Sequence, residues 1–296
     1  MIKLNIGILT WNPQGFSSNQ LINAALRRGI EVTILNFNQL VACVKRKPYV
    51  LFDGEDLAEK IDALIVRPIG RGSLEEIIFR MNLLRKLERI GVKVINPPEA
   101  IERSVDKYHT LTLLEEAGIP VPKTMVTENS YEALRAFHEL GGDVVVKPLF
   151  GSRGFGVMRI SNPDEAIRIF RNLAFNHEVI YIQEFIHHGN WDIRTLVLGK
   201  GILASERRVS DHWKTNISQG ARPTPIKLDD EIEELAIRSA EVIGCEVAGI
   251  DILDGPEGPV VIELNSQPGW KGLQEITPIN IGEAIIDYVL KSLKRG

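Results

Sequence analysis

Short runs of β-branched and apolar residues alternate with amphipathic stretches across residues 1–98, and this alternation leaves the chain few architectures. Residues 4–9, 31–37, 62–66 and 92–95 have strand character. Residues 19–28 carry helical spacing and stop at Gly29; residues 73–90 form a long amphipathic stretch, opened by Ser73 as a cap and closed by Gly91. Strands alternating with helices need crossover connections, which set the strands parallel and cover the sheet on both faces. Residues 1–98 are expected to form a small parallel α/β domain, with Pro97-Pro98 as its boundary.

Beyond that boundary the pattern changes from crossovers to hairpins. Helical character is expected over residues 105–117, 131–140, 163–173, 229–243 and 282–294. Residues 143–147 and 179–185 read as strands, the first running into a glycine-rich loop over 149–158. Two hairpins follow, 192–198 with 202–209 around Gly199-Lys200-Gly201, and 247–253 with 259–264 around residues 254–258. The expected class is α/β joined to α+β, with units at 1–98, 99–182 and 183–296. A net charge of −4 gives no broad basic field, so no nucleic-acid partner is expected. No apolar run is long enough to cross a bilayer and residues 1–11 lack a cleavable signal pattern, so a cytoplasmic protein without a membrane partner is expected. Cys43 and Cys245 have apolar neighbours and no CxxC spacing, which favours core thiols over a disulfide or metal site.

Five segments carry candidate chemistry. In Lys147-Pro148-Leu149-Phe150-Gly151-Ser152-Arg153-Gly154-Phe155-Gly156 a lysine closes a buried strand and glycines follow. Glycines let backbone amides approach phosphate oxygens, and the lysine adds a point charge; the order is neither a P-loop nor a dinucleotide fingerprint. Alone, the loop reads equally well as a surface turn. Glu263 and Asn265 are two apart on a strand and share a face, and a turn centred near Glu257 would set Asp251 opposite Glu263. Three such oxygen ligands suit Mg2+, although a solvated hairpin face would carry them too. Gln183-Glu184-Phe185-Ile186 ends a buried strand and offers backbone groups to a planar ligand. Asp192 and Arg194 share a strand face, where a local ion pair is the plain alternative. Glu206-Arg207-Arg208 and Lys214-Thr215-Asn216 gather cations suited to an anionic substrate. His187-His188 is read as a polar turn and the four tryptophans as packing or pocket walls.

Taken in order, Asp106-Lys107, Gly118-Ile119-Pro120-Val121-Pro122, VVVKPLFGSRGFGV, YIQEFI, DIRTLVLG, ERR, KTN, GIDIL and VIELNSQPGWKGL resemble the ATP-grasp superfamily, specifically its RimK-like glutamate ligases. The resemblance covers roughly residues 97–290 and implies an ATP-grasp fold behind an N-terminal pre-ATP-grasp domain. It implies an ADP-forming ligase that phosphorylates a carboxylate and joins it to an amine, that of L-glutamate being expected. Lys107 and Lys147 would contact ATP phosphates, with Ser152, Gly154 and Gly156 in a loop closing over them. Glu184 and Phe185 would hold adenine, Asp192 would lie beside the nucleotide, and Lys214, Thr215 and Asn216 would line the triphosphate site. Asp251, Glu263 and Asn265 would hold two Mg2+ ions, with Mn2+ as a substitute; Arg194, Arg208 and Lys271 would hold the substrate carboxylate. Arg67, Arg71 and Ser73 are candidates for an acceptor pocket. Family relatives are often oligomers, so a homo-oligomer is a further expectation.

Two departures bear on substrate. Lys214 stands where related ligases carry arginine, keeping the charge and losing the bidentate fork. Gln219-Gly220-Ala221 replaces a glycine pair. Pro268-Gly269-Trp270-Lys271-Gly272-Leu273 is more like ligases that extend small cofactors, such as tetrahydromethanopterin, which points to a small-molecule carboxylate acceptor. A protein-tail acceptor, another amino acid, or a silent nucleotide-binding regulator are the alternatives.

Overall fold

A computed structural model describes residues 4–151 and 154–294. Its N-terminal part runs β1 (Asn5–Leu9), α1 (Phe16–Arg27), β2 (Glu31–Leu35), β3 (Leu40–Ala42), β4 (Val50–Phe52), β5 (Glu55–Asp56), α2 (Leu57–Lys60), β6 (Ala63–Val66), α3 (Leu74–Arg89) and β7 (Lys93–Ile95). β1, β2, β6 and β7 form the expected parallel sheet in the order β2-β1-β6-β7. Ile6, Ile8, Ala63, Leu64 and Ile65 are fully or nearly fully buried, as a sheet covered on both faces requires. α3 starts at a capping box: Ser73 Oγ accepts from Glu76 N at 3.2 Å and Glu76 returns a bond to Ser73 N at 2.8 Å. The small antiparallel sheet β3-β4-β5 was not anticipated, because its strands are too short to show a period.

The helix expected over residues 105–117 is present as α5 (Lys107–Glu116), and a separate α4 (Pro98–Val105), which the sequence did not announce, precedes it and ends at Asp106. Asp106 adopts an extended conformation, and its carboxylate accepts from Tyr108 N at 2.9 Å and His109 N at 3.1 Å, so it caps a new helix rather than continuing the old one.

A second, antiparallel sheet combines β8 (Thr124–Thr127), β9 (Val144–Lys147), β10 (Met158–Ile160) and β11 (Ile180–Glu184) in the order β10-β9-β11-β8. α6 (Ser130–Glu139) and α7 (Pro163–Phe175) cover one face around Phe137 and Phe170. A third sheet, β14-β13-β12-β15-β16, holds the two expected hairpins: β12 (Trp191–Leu198) with β13 (Gly201–Val209), and β15 (Val247–Gly255) with β16 (Gly258–Asn265). β14 (Arg222–Pro225) extends its edge, α8 (Asp230–Ile243) and α5 pack on one face, and α9 (Lys271–Ile276) and α10 (Ile281–Leu293) follow.

The first and third sheets are joined by a shared core in which Ile8, Leu21 and Ile65 meet Leu196, Val247, Trp270 and Ile285. One side chain rivets the seam. Asn96 Nδ2 donates to Val247 O at 2.7 Å and Ser266 O at 2.5 Å, while its Oδ1 accepts from Glu246 N at 2.7 Å and Val247 N at 2.8 Å. Neither cysteine is in a disulfide; Cys245 is buried and Cys43 half-buried. Among the described residues no helix is long and apolar enough to cross a membrane.

Candidate active site

Strand register in the third sheet writes a row of charges across one face. Glu206 on β13 pairs with Arg194 on β12, Arg194 pairs with Asp251 on β15, and Asp251 pairs with Glu263 on β16. Residues directly opposite in neighbouring strands put their side chains on the same face, so four strands deliver four ionisable groups to one line. Asp251 faces Glu263 as expected, by a route the sequence did not show. The tip pairs Gly255 with Gly258, and the register shifts between Asp251 and Ile252, leaving Ile262 as an extra residue. That bulge re-aims Glu263 toward the cleft.

Asp192 and Arg194 do not pair locally. Arg194 Nη1 donates to Asp251 Oδ1 at 2.6 Å, and Arg208 Nε donates to Asp192 Oδ1 at 2.7 Å while its Nη2 lies 3.2 Å from Asp251 Oδ1. All four groups are buried. Burial alone would raise the Asp251 carboxyl, but Arg194 and Arg208 outweigh it and hold it below the usual range. Gly249 is the floor for this arrangement: a Cβ there would sit 2.6 Å from Arg194 Cζ and 2.9 Å from Pro268 Cβ.

The second sheet supplies the opposite wall. Lys147 Nζ donates to Gln183 Oε1 at 2.6 Å, and Gln183 Nε2 is held by Thr124 Oγ1 at 3.0 Å. Desolvation pushes Lys147 down to about 8, with Lys107 adding to the fall and Glu263 and Asp251 opposing it. Lys107 Nζ donates to Gly151 O at 3.0 Å and lies 3.9 Å from Glu263 Oε1. Gly154 has φ +71°, and its missing Cβ would fall 3.1 Å from Asn216 Cγ, so only glycine lets the loop lie against Asn216. Phe185 is set edge-on to Trp213 at 5.9 Å and carries the Arg159 guanidinium 3.5 Å over its ring, Arg159 being clamped by Asp143.

These walls flank an open cleft. Lys107, Lys147 and Gly154 line it, with Glu184 and Phe185 at one end. Asp192, Arg208, Lys214, Thr215 and Asn216 line it from the third sheet, together with Asp251 and Glu263. Arg194 sits behind Asp251, Gly156 lies against Pro148, and Asn265 pairs with Gly249 further along the strand; none of these three lines the cleft. Ser152 lies outside the described residues. Lys271 opens α9, whose Gly272 abuts Glu206, and Ser73 is occupied in capping α3. Arg67 borders a separate crevice. Two cleft groups were given no role of their own by the sequence. Gln183 orients Lys147, and His188 faces the cleft with Nδ1 2.7 Å from Trp191 O; outside the cleft lining, Glu206 is buried with Oε2 unpartnered among the described residues. Gln183 alternates with Tyr181 on β11, a period-two signal that could have placed it beside Lys147.

Asp251 and Glu263 are like-charged groups facing each other across the strand pair, Asp251 buried and Glu263 partly exposed. Burial and Asp251 together raise the Glu263 carboxyl, against the pull of Lys107 and Lys147. Such a pair suits a hard divalent cation, which takes a few protein oxygens and leaves positions for phosphate. Among the described residues no third His, Cys, Asp or Glu completes a cage, so the pair fits a metal shared with a bound phosphate rather than one held by protein alone.

The sequence pattern of the RimK PreATP-grasp domain matches residues 4–101, and that of the RimK-like ATP-grasp domain matches residues 104–289. The chain belongs to the RimK-like ATP-grasp ligases. The expected fold, an ATP-grasp unit behind a pre-ATP-grasp domain, is thereby confirmed, as is an ATP-binding ligase. It is 35% identical to the tetrahydromethanopterin:alpha-L-glutamate ligase of Methanosarcina acetivorans, over 96% of this chain and 98% of that one. It is 34% identical to a probable alpha-L-glutamate ligase of Maridesulfovibrio salexigens, over 99% and 97% of the two chains. Among solved structures, the ATP-grasp ligase PsnB with minimal precursor, Mg and ADP superposes with a TM-score of 0.78 at 20% identity, covering 99% of each chain. D-cycloserine synthetase DcsG gives 0.74 at 15% identity, over 98% and 99%. The PsnB structure holds Mg and ADP.

Proposed function

We propose that this ligase joins the amine of L-glutamate to the carboxylate of a small-molecule acceptor through an acyl phosphate. The observation that carries the reading is the convergence of Lys107, Lys147, Asp251 and Glu263 on one cleft from three separate parts of the chain. Relatives named alpha-L-glutamate ligase, including one specific for tetrahydromethanopterin, support the amino acid and the acceptor class.

In the first step an acceptor carboxylate oxygen bonds to the γ-phosphorus of ATP and the bond to ADP breaks. In the second, the amine nitrogen bonds to the acyl carbon, phosphate leaves, and the nitrogen loses a proton. Mg2+, held as two ions by Asp251, Glu263 and Asn265, would neutralise charge on the transferring group. Lys147, held by Gln183, and Lys107, at the start of α5, place positive charge where phosphate oxygens gather. Glu184 and Phe185 wall the adenine end, with Trp213 closing it; Asp192, Lys214, Thr215 and Asn216 border the triphosphate. Arg208, fixed by Asp192, faces the cleft and is suited to a substrate carboxylate, while Arg194 keeps Asp251 ionised and oriented. The loop bearing Ser152, Gly154 and Gly156 keeps water from the acyl phosphate.

A peptide acceptor is the second reading, favoured by the likeness in fold to ligases solved with precursor peptides. ADP release with a panel of amino acids, and with small carboxylates against glutamate-ended peptides, separates the two. Equal turnover with every amino acid would sink the glutamate assignment. Glu263→Gln should lose ligation and Mg2+-dependent nucleotide binding together; full ADP release by that variant would contradict the metal role.

A further inference from the structure

A narrow crevice opens where the N-terminal sheet meets residues 266–270, and it is bordered by a buried cation that has no counter-ion among the described residues. Arg67 follows β6 directly, its amide bonded to Leu9 O at 2.9 Å at the end of β1. The chain passes from β1 to β2 on one side and then to β6 on the other. In open parallel sheets such a reversal leaves a crevice beyond the carboxyl ends of the strands, where ligands bind.

The Arg67 residue is 7% exposed, with its guanidinium 4.9 Å over the Trp270 ring. Its Nη2 donates to Pro268 O at 2.9 Å, and its Nε has no partner. Burial alone pushes it down to about 10, with no acid restoring the charge. Other buried arginines differ: Arg80, Arg194 and Arg208 each hold a carboxylate. Next to Pro268, Gln267 Nε2 is a second buried donor without a partner. Unpaired buried charge is costly, and its persistence here calls for an anion that arrives from outside.

We propose that this crevice is the subsite for a non-reacting carboxylate of a substrate, held by Arg67. The inference deepens the ligase reading and rests on it. The carboxylate that is phosphorylated must lie beside the γ-phosphate, in the cleft of Lys147 and Glu263. Arg67 borders the other crevice, so the anion it takes is a different one. Two sources carry that chemistry: the incoming amino acid, which reacts through its amine and keeps its carboxylates, or a spare carboxylate of the acceptor.

Arg67→Met keeps the length and the contact with Trp270 and removes the charge. Its melting temperature should rise by roughly 2–4 °C, because an unpaired buried cation is gone. Binding of L-glutamate or of N-acetyl-L-glutamate, titrated calorimetrically into protein loaded with Mg2+ and a non-hydrolysable ATP analogue, should weaken at least about tenfold. A loss confined to L-glutamate makes the amino acid the source, and a loss confined to the amine-blocked probe makes it the acceptor. Uptake of neither probe by the wild type, or equal uptake of both by the variant, overturns the subsite. A lower melting temperature in the variant does so too, since it marks Arg67 as a structural group. Affinity for the ATP analogue is read in the same titrations: its absence in the wild type would defeat the ligase reading, whereas intact nucleotide binding with a silent Arg67→Met defeats only the subsite.

Discussion

Substituting Gly249 by alanine should cost far more than one methyl group. The added Cβ would lie 2.6 Å from Arg194 Cζ and 2.9 Å from Pro268 Cβ. Arg194 has nowhere to go while it keeps its 2.6 Å bond to Asp251, and both are buried. Simple overpacking of a core costs about 1–3 kcal/mol. Breaking a buried ion pair costs about 3–5 kcal/mol. Arg208 remains near Asp251 and softens the loss, so about 3 kcal/mol is expected overall. On a chain of this size that is a fall in melting temperature of roughly 6–12 °C. Calorimetric melting of Gly249→Ala in the wild-type and Arg194→Met backgrounds tests the route as well as the size. If the collision acts through Arg194, most of the cost disappears when Arg194 is already gone. An equal penalty in both backgrounds, or a melting temperature within a degree of wild type, would refute the reasoning.

Lys147→Ala should weaken nucleotide binding by about 1–3 kcal/mol, as for one lost charge-assisted contact, and unchanged calorimetric affinity would remove Lys147 from the phosphate site. Burial raises Glu206 to about 7 against the pull of Arg208 and Arg194. The folded protein therefore holds a proton there that the unfolded chain releases near 4.5, and the stability this adds is present below about pH 4.5 and lost as pH rises through about 7. Glu206→Gln should flatten that fall, gaining on the order of 2–3 kcal/mol relative to wild type between pH 5 and pH 8 in urea titrations. Parallel wild-type and variant curves would show that Glu206 is not the group responsible.

Much of the fold was readable because the elements announce themselves locally. The capping Ser73, the glycine after α1 and the β-branched runs each act within a few residues. The pairing of Asp251 with Glu263 was anticipated from a turn centred near Glu257, but the tip centres between Pro256 and Glu257, and the bulge at Ile262 restores the match. That agreement owed something to compensation, since a bulge leaves no mark in the sequence. Ion-pair partners were not readable: Asp192 and Arg194 are close in sequence, yet each is claimed by a strand neighbour, as register dictates. Glu206 looked like part of a solvated hairpin because the residue that buries it, Gly272, is remote in the chain. The helix of residues 98–105 was hidden because it is short and begins inside the Pro97-Pro98 pair that reads as a boundary.

The seam around Asn96 determines which parts of this enzyme keep a fixed spacing. With four bonds from one amide and a shared core, the first and third sheets are fastened into one body. The spacing from Arg67 to Asp251 is therefore set by that seam, like the marks on a ruler. Mutations that reshape the seam should then change what is joined, whereas mutations in the sheet that bears Lys147 should change how the nucleotide is gripped.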